Sequence, residues 1–231
     1  MRLRRVIAEF LGTMILATGI CLTDGDALAA GASLWVAIIG TGFVSGAQFN
    51  PAITTAVILV GLVKRKISKE DLLEHFIYYA CHFFGAFVGG LMAWAIRSET
   101  FEMTIHTSPG RAYLGEVSAT TALILVAMIG GELKDSHFIN TLAVAATLFA
   151  GLYTVGPYTG GCLNPAMGLA ANWTDSINHT HQRARHLYVY LLGPFTASVV
   201  AAALYLLINP ELERIYKLKE ANQARLSVPN N

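Results

Sequence analysis

Apolar positions along this 231-residue chain gather into long unbroken runs; they neither alternate nor recur at amphipathic spacing. Six runs, Val6–Leu22, Leu28–Val44, Leu72–Ile96, Tyr113–Gly130, Phe138–Gly156 and Leu187–Ile208, approach the ~20 apolar residues that carry a helix across a bilayer. Two others, Pro51–Val63 and Pro165–Trp173, are about half that length. A run that short can only enter the bilayer and turn back, which is tolerated where protein buries it or where it lines a cavity. The pattern predicts an all-α membrane protein with six transmembrane helices and two re-entrant half-helices. It reads as a single transmembrane domain over 1–231, ending in a polar inner tail over about 211–231.

Composition supports that reading. The chain is 54% hydrophobic and 13% charged, with a mean hydropathy of +0.51; soluble domains carry about twice that charged fraction. A net charge of +1 points to neither nucleic acid nor an acidic ligand. Cys21, Cys81 and Cys162 sit in apolar surroundings at irregular spacing, which makes neither a disulfide framework nor a metal site. Arg2, Arg4 and Arg5 before the first run raise the question of a signal peptide, but Glu9 interrupts it and further spans follow, so it reads as an uncleaved first helix.

Basic residues set the orientation. With the N-terminus inside, Arg2, Arg4, Arg5, Lys64, Arg65, Lys66, Lys69, Lys134, Arg214, Lys217, Lys219 and Arg225 fall on the inner face. Only Arg97, Arg111, Arg183 and Arg185 fall outside, so both termini are expected in the cytoplasm. Two glycosylation sequons begin at Asn172 and Asn178 on the outer side; Asn178, farther from the re-entrant run, is the better candidate.

The chain repeats itself. "AEFLGT" (Ala8–Thr13) returns as "GEVSAT" (Gly115–Thr120), "NPAI" as "NPAM", and "YYACHFFGAF" near Tyr78 as "LYVYLLGPF" near Tyr188. The repeats cover about 6–110 and 111–208. Each holds an odd number of spans, so the halves insert with opposite topology and share a site near the bilayer midplane.

The repeated triplet is the main chemical signal. Proline suits the first turn of a helix, and asparagine before it is a favoured N-cap. Asn50-Pro51-Ala52 and Asn164-Pro165-Ala166 therefore each start a short helix, one entering from each side. Their positive dipole ends meet near the midplane and oppose cations. If Asn50 and Asn164 turn their amides into the same space, they offer donors to a passing neutral oxygen. One isolated triplet would be a plain cap, but two at matching places before half-length runs describe a pore.

Glu9 and Glu116 lie inside spans, where a carboxylate is costly unless paired or neutral. Each is read as accepting N–H bonds from the irregular backbone leading into a half-helix; a proton relay is the alternative. Gly85, Ala86, Gly89, Gly90, Gly193 and Ala197 allow close helix contact. His82 reads as a hydrogen-bonded interior residue. His179, His181 and His186 lie in or beside an outer loop, with metal binding there as the lesser alternative. Cys162 is a buried thiol by default, with a reagent-sensitive, pore-facing thiol as the alternative. No catalytic triad, phosphate loop or dinucleotide motif appears, so no enzyme and no cofactor are expected.

From "AEFLGT" through "SGAQFNPAIT", "GEVSAT" and "YTGGCLNPA" to "YLLGPF", the chain resembles the aquaporin (major intrinsic protein) family. The resemblance implies a homotetramer with one pore per subunit and passive conduction of water or small neutral solutes. It matches Asn50 and Asn164 to the pore asparagines, and Glu9 and Glu116 to the glutamates that brace the re-entrant loops. It places the outer constriction at Ala30, Leu152, Gly161 and Met167. The family usually has arginine at Met167, serine or aspartate at Gly168 and histidine at Gln48, and its water-selective members have an aromatic residue and a histidine at Ala30 and Leu152.

Arginine supplies five fixed donors and a permanent charge, whereas methionine supplies a flexible apolar chain. The expectation is a wider, apolar constriction admitting glycerol, hydrogen peroxide or urea as well as water. One alternative has Met167 and Leu152 forming a dewetting barrier; another packs Met167 away from the pore. Two other functions compete: a junctional membrane protein with a low-conductance pore, and a secondary transporter, for which the spans offer almost no further acidic residues.

Overall fold

The computed structural model describes residues 2–132, 137–178 and 186–226, leaving aside the side chains of 175–178 and 210–226. Eight helices account for nearly all of it: α1 (Arg2–Leu22), α2 (Ala27–Ser45), α3 (Pro51–Val63), α4 (Lys69–Arg97), α5 (Pro109–Glu132), α6 (His137–Thr159), α7 (Pro165–Asn178) and α8 (Leu187–Leu226). Among the described residues there is no strand. Six helices are long and apolar enough to cross a membrane, and α3, at 13 residues, is not. Lys134, His179, His181, Arg183 and Arg185 lie outside the described residues.

Two boundaries differ from the sequence pattern. Helix α7 continues past Trp173 to Asn178, and α8 continues beyond its apolar part, Leu187–Asn209, to Leu226. The polar stretch expected as a tail is rich in Glu, Lys, Ala, Leu and Arg, all strong helix formers. Helical backbone bonds need no apolar side chains, so hydropathy marks where the span ends and leaves the helix end unmarked.

Packing repeats in the two halves. Helix α1 packs on α4 and α2, and α5 packs on α8 and α6 in the same way. The half-helices are exchanged: α3 lies against α8, and α7 against α4. Ser198 Oγ in α8 donates to the Ala52 carbonyl in α3 at 2.7 Å, across the two repeats. Each half of the chain therefore packs its short helix against the other half.

The closest helix crossing uses the small residues. A Cβ on Gly89 would lie 2.7 Å from the Met14 carbonyl oxygen, and one on Gly85 would lie 2.6 Å from that of Phe10. Backbone cannot yield as a side-chain tip can, so substitution there must part the helices. Gly89→Leu is expected to destabilise by about 1–3 kcal/mol or more, read as a lower melting temperature in detergent; an unchanged melt would show that the α1–α4 contact is looser than drawn.

Candidate functional site

Each half-helix begins as the triplet predicts. Asn50 is extended (φ −152°, ψ 119°), Pro51 follows in the first turn, and Asn50 Oδ1 accepts from the Ala52 N–H at 2.8 Å. Asn164 Oδ1 accepts from the Ala166 N–H at 3.0 Å. The two caps also reach across to one another. Asn50 Nδ2 donates to the Leu163 carbonyl at 2.8 Å, and Asn164 Nδ2 donates to the Phe49 carbonyl at 2.9 Å. An amide nitrogen carries two hydrogens, so each asparagine keeps one donor beyond this reciprocal clasp.

The loops entering the two half-helices share an unusual backbone. Counting back from the asparagine, the fourth, third and first positions are all left-handed: Gly46 (φ 96°), Ala47 (53°) and Phe49 (48°) in one loop, Gly160 (85°), Gly161 (69°) and Leu163 (51°) in the other. Non-glycine residues adopt that region at a cost and hold it only when their surroundings demand it. Glu9 Oε1 and Oε2 accept from the Gln48 and Phe49 N–H groups at 3.0 and 2.8 Å. Glu116 Oε1 and Oε2 accept from those of Cys162 and Leu163 at 3.0 and 2.8 Å. Both glutamates are wholly buried.

The halves differ in what completes each carboxylate. His82 Nε2 lies 2.8 Å from Glu9 Oε2, whereas Thr159 Oγ1 donates to Glu116 Oε1 at 2.6 Å. Tyr190, aligned with His82 in the repeat, donates its hydroxyl to the Thr159 carbonyl at 2.7 Å. Thr159 and Tyr190 escape sequence reasoning, because a single threonine or tyrosine in an apolar run carries no pattern. The alignment of His82 with Tyr190 was the available signal.

Three cavities lie on these elements. A vestibule of about 660 Å³, on the side expected to face outward, is walled by Leu152, Gly160, Gly161, Asp26, Glu102 and His106, among others. An inner one of about 700 Å³ includes Gln48, Ile53, Lys64, Glu132 and Asn140. Between them, a chamber of about 20 Å³ touches Asn50, Asn164, Gln48, Phe49, Cys162 and Met167, with Leu16, Ile20, Leu34, Ile53, Leu123 and Leu148 completing it. Such a volume holds about one water.

The four residues expected at the outer constriction do not share one cavity. Leu152 and Gly161 wall the outer vestibule, and Met167 walls the chamber. Ala30 is fully buried and lines none of the three. Met167, 1% exposed, directly follows the second triplet and shares the chamber wall with the asparagines.

The segment 98–108 adds a wall that hydropathy did not suggest. Phe101 and Met103 are buried in the main core while Glu102 and His106 between and beyond them are exposed. The alternation in "FEMTIH" was the readable sign of an extended, half-buried segment. Asn172 Nδ2 donates to the Gly168 carbonyl at 2.8 Å within α7, and the Asn178 side chain lies outside the described residues.

Comparison with known proteins places this geometry. The family model described as major intrinsic protein matches residues 1–205. The chain is 28% identical to the glycerol uptake facilitator protein-like 6 of Lactiplantibacillus plantarum over 221 residues, covering 87% of this chain and 95% of that one. It is 29% identical to the lens fiber major intrinsic protein of Canis lupus familiaris over 238 residues, covering 92% of this chain and 84% of that one. The X-ray structure of the aquaglyceroporin from Plasmodium falciparum superposes with a TM-score of 0.75 at 22% identity, covering 93% of this chain and all of that one.

Proposed function

The chain belongs to the major intrinsic protein family, and we propose that it is a passive channel for water and the smallest neutral solutes, hydrogen peroxide included. The observation that carries this reading is the 20 Å³ chamber with Asn50 and Asn164 in its wall. One spare N–H from each asparagine meets a passing oxygen from opposite sides. A water turned by both donors presents its hydrogens outward in both directions, which interrupts proton relay, while the facing half-helix dipoles oppose cations. The pore site comprises Asn50, Pro51, Ala52, Asn164, Pro165 and Ala166, with Glu9 and Glu116 holding the strained loops in register.

The chamber shifts the expectation of a wide constriction. With Met167 in its wall, glycerol and urea need that side chain to swing aside, which a flexible thioether allows more readily than a branched residue. The same apolar wall favours a second reading: a barrier that dewets, so that flux is low and the protein serves chiefly as a junctional or structural component.

Stopped-flow measurement on proteoliposomes separates the readings. Water and peroxide are expected to cross well above empty vesicles, without saturation, and glycerol and urea more slowly. Vesicles that swell no faster than empty ones for any solute would favour the second reading. Cys162 is 4% exposed, lines the chamber and donates to the Asn164 carbonyl at 3.0 Å. A small mercurial is therefore expected to slow water flux in the wild type and spare Cys162→Ala; equal sensitivity of both would remove Cys162 from the passage.

The proposal includes both termini in the cytoplasm, a homotetramer in the bilayer, and glycan attachment at Asn178. Exposed apolar side chains such as Val36, Ile39 and Phe43 on α2 suit either lipid or a sister subunit. Native mass spectrometry tests the tetramer.

A further inference from the structure

The two sides of the chamber are built from equivalent positions filled with different chemistry. In each loop, the residue two before the asparagine meets the residue four after it. In the first half these are Gln48 and Thr54; Thr54 is fully buried, and its hydroxyl donates to Gln48 Oε1 at 2.7 Å. In the second half they are Cys162 and Gly168, where even a Cβ on Gly168 would lie 2.9 Å from Cys162 Sγ. The second pair is small, and its thiol is spent on the Asn164 carbonyl.

Gln48 and Ile53 line both the chamber and the inner vestibule, so they stand at the neck between them. The chamber and the outer vestibule have no lining residue in common among those described. With Oε1 turned to Thr54, the Gln48 amide nitrogen keeps both hydrogens free of partners among the described residues. At the positions expected for the outer constriction the offer is apolar Leu152 and Met167 and, at Gly161, backbone alone, while Asp26, Glu102 and His106 stand in the wider vestibule.

We propose that Gln48, held in orientation by Thr54, is a further specificity-determining residue, which places the donor missing from the outer constriction at the inner neck. Solutes with an acceptor oxygen are selected there as they pass between the chamber and the inner vestibule. Because an amide does not titrate, this station works identically across the range in which a histidine would change charge. The inference rests on the channel reading and deepens it. A purely structural role for Gln48, tying the loop to α3, is the competing account, and the test is chosen to separate the two.

Water, urea and glycerol permeability are measured in proteoliposomes for wild type, Gln48→Met, Thr54→Val and Gln48→His, each checked first for monodispersity. Gln48→Met keeps the length but removes the donors, and is expected to lower water permeability about fivefold, the usual worth of one net hydrogen bond. Thr54→Val leaves the amide unheld and should act in the same direction, less strongly. Gln48→His places a donor that titrates at the neck, so its permeability should change through roughly pH 6–7 beyond whatever change the wild type shows, whose vestibules already hold His137, Lys64, Lys66 and Glu132 on the inner side and His106 on the outer. A structural role predicts no such pH dependence.

A conducting wild type matched by Gln48→Met, or a Gln48→His channel as flat with pH as the wild type, overturns this inference and leaves the channel reading standing. A wild type that conducts nothing overturns both. If Gln48→Met fails to stay monodisperse, the pH profile of Gln48→His decides alone.

Discussion

Glu116→Leu is expected to cost this protein most of its stability and all of its conduction. The carboxylate accepts from the Cys162 and Leu163 N–H groups and from the Thr159 hydroxyl, at 3.0, 2.8 and 2.6 Å. Leucine fills much of the space but accepts nothing, leaving three buried donors unmet. Each unmet donor costs about 1–3 kcal/mol, against a total stability of about 5–15 kcal/mol for a typical protein. The left-handed backbone at Gly160, Gly161 and Leu163 then loses what holds it. Differential scanning fluorimetry in detergent should show a fall of at least about 6–12 °C, taking ~3 kcal/mol at the usual conversion. Glu116→Gln should fall less, since it keeps one oxygen while turning an NH₂ toward a donor. A Glu116→Leu protein that melts and conducts like wild type would mean that the loop holds its shape unaided.

Met167→Ala is expected to have the largest effect on selectivity. Met167 is 1% exposed and walls a chamber of about 20 Å³. Truncation beyond Cβ removes the outer side of that wall and leaves Asn50 and Asn164 untouched. Glycerol and urea permeability should rise by at least about tenfold, equivalent to lowering their barrier by ~1.4 kcal/mol. Water, which already fits, should change less. The stability cost of a buried methionine-to-alanine change, about 2–5 kcal/mol, is read separately from the melt.

Met167→Arg makes the complementary test. No acidic side chain lines the chamber among the described residues, so the guanidinium would sit against two positive helix ends without a counter-charge. Loss of flux or of stability is expected. Should neither substitution alter any solute's permeability, Met167 does not bound the passage.

These expectations follow from an uneven duplication. The backbone device is the same in both halves: a capping asparagine, left-handed entry, two N–H groups on one glutamate. The side chains packed around it are not, and of these Gln48 and Cys162 line the chamber. Polar Gln48 and Thr54 occupy the inner side where Cys162 and Gly168 occupy the equivalent outer positions, and His82 on Glu9 stands where the second half has Tyr190 and Thr159. Divergence has thus kept the scaffold and altered the surface that meets solute.

Much was readable in the chain itself. The apolar runs mark six spanning helices and two half-helices because in a bilayer the backbone must satisfy itself, and length with hydropathy nearly decides where that can happen. Asn50-Pro51 and Asn164-Pro165 mark helix starts because capping is local chemistry, settled within a few residues. The duplication and its inversion follow from matched motifs and an odd span count. Glu9 and Glu116 stand out because a carboxylate in an apolar run demands partners.

The identity of those partners was decided only by the fold. Thr159 on Glu116, Tyr190 on Thr159, and the reach of each asparagine to the opposite carbonyl join residues from separate elements, and no local pattern encodes such meetings. The same holds for the separation of Ala30, Leu152 and Met167 into different surroundings, and for Phe101 and Met103 in the core. Helix ends beyond the apolar runs were also invisible, since helical hydrogen bonds continue in polar sequence. Local spacing determines which elements form and where they begin. How wide the passage is, and which side chain narrows it, depends on distances between elements, which packing alone sets.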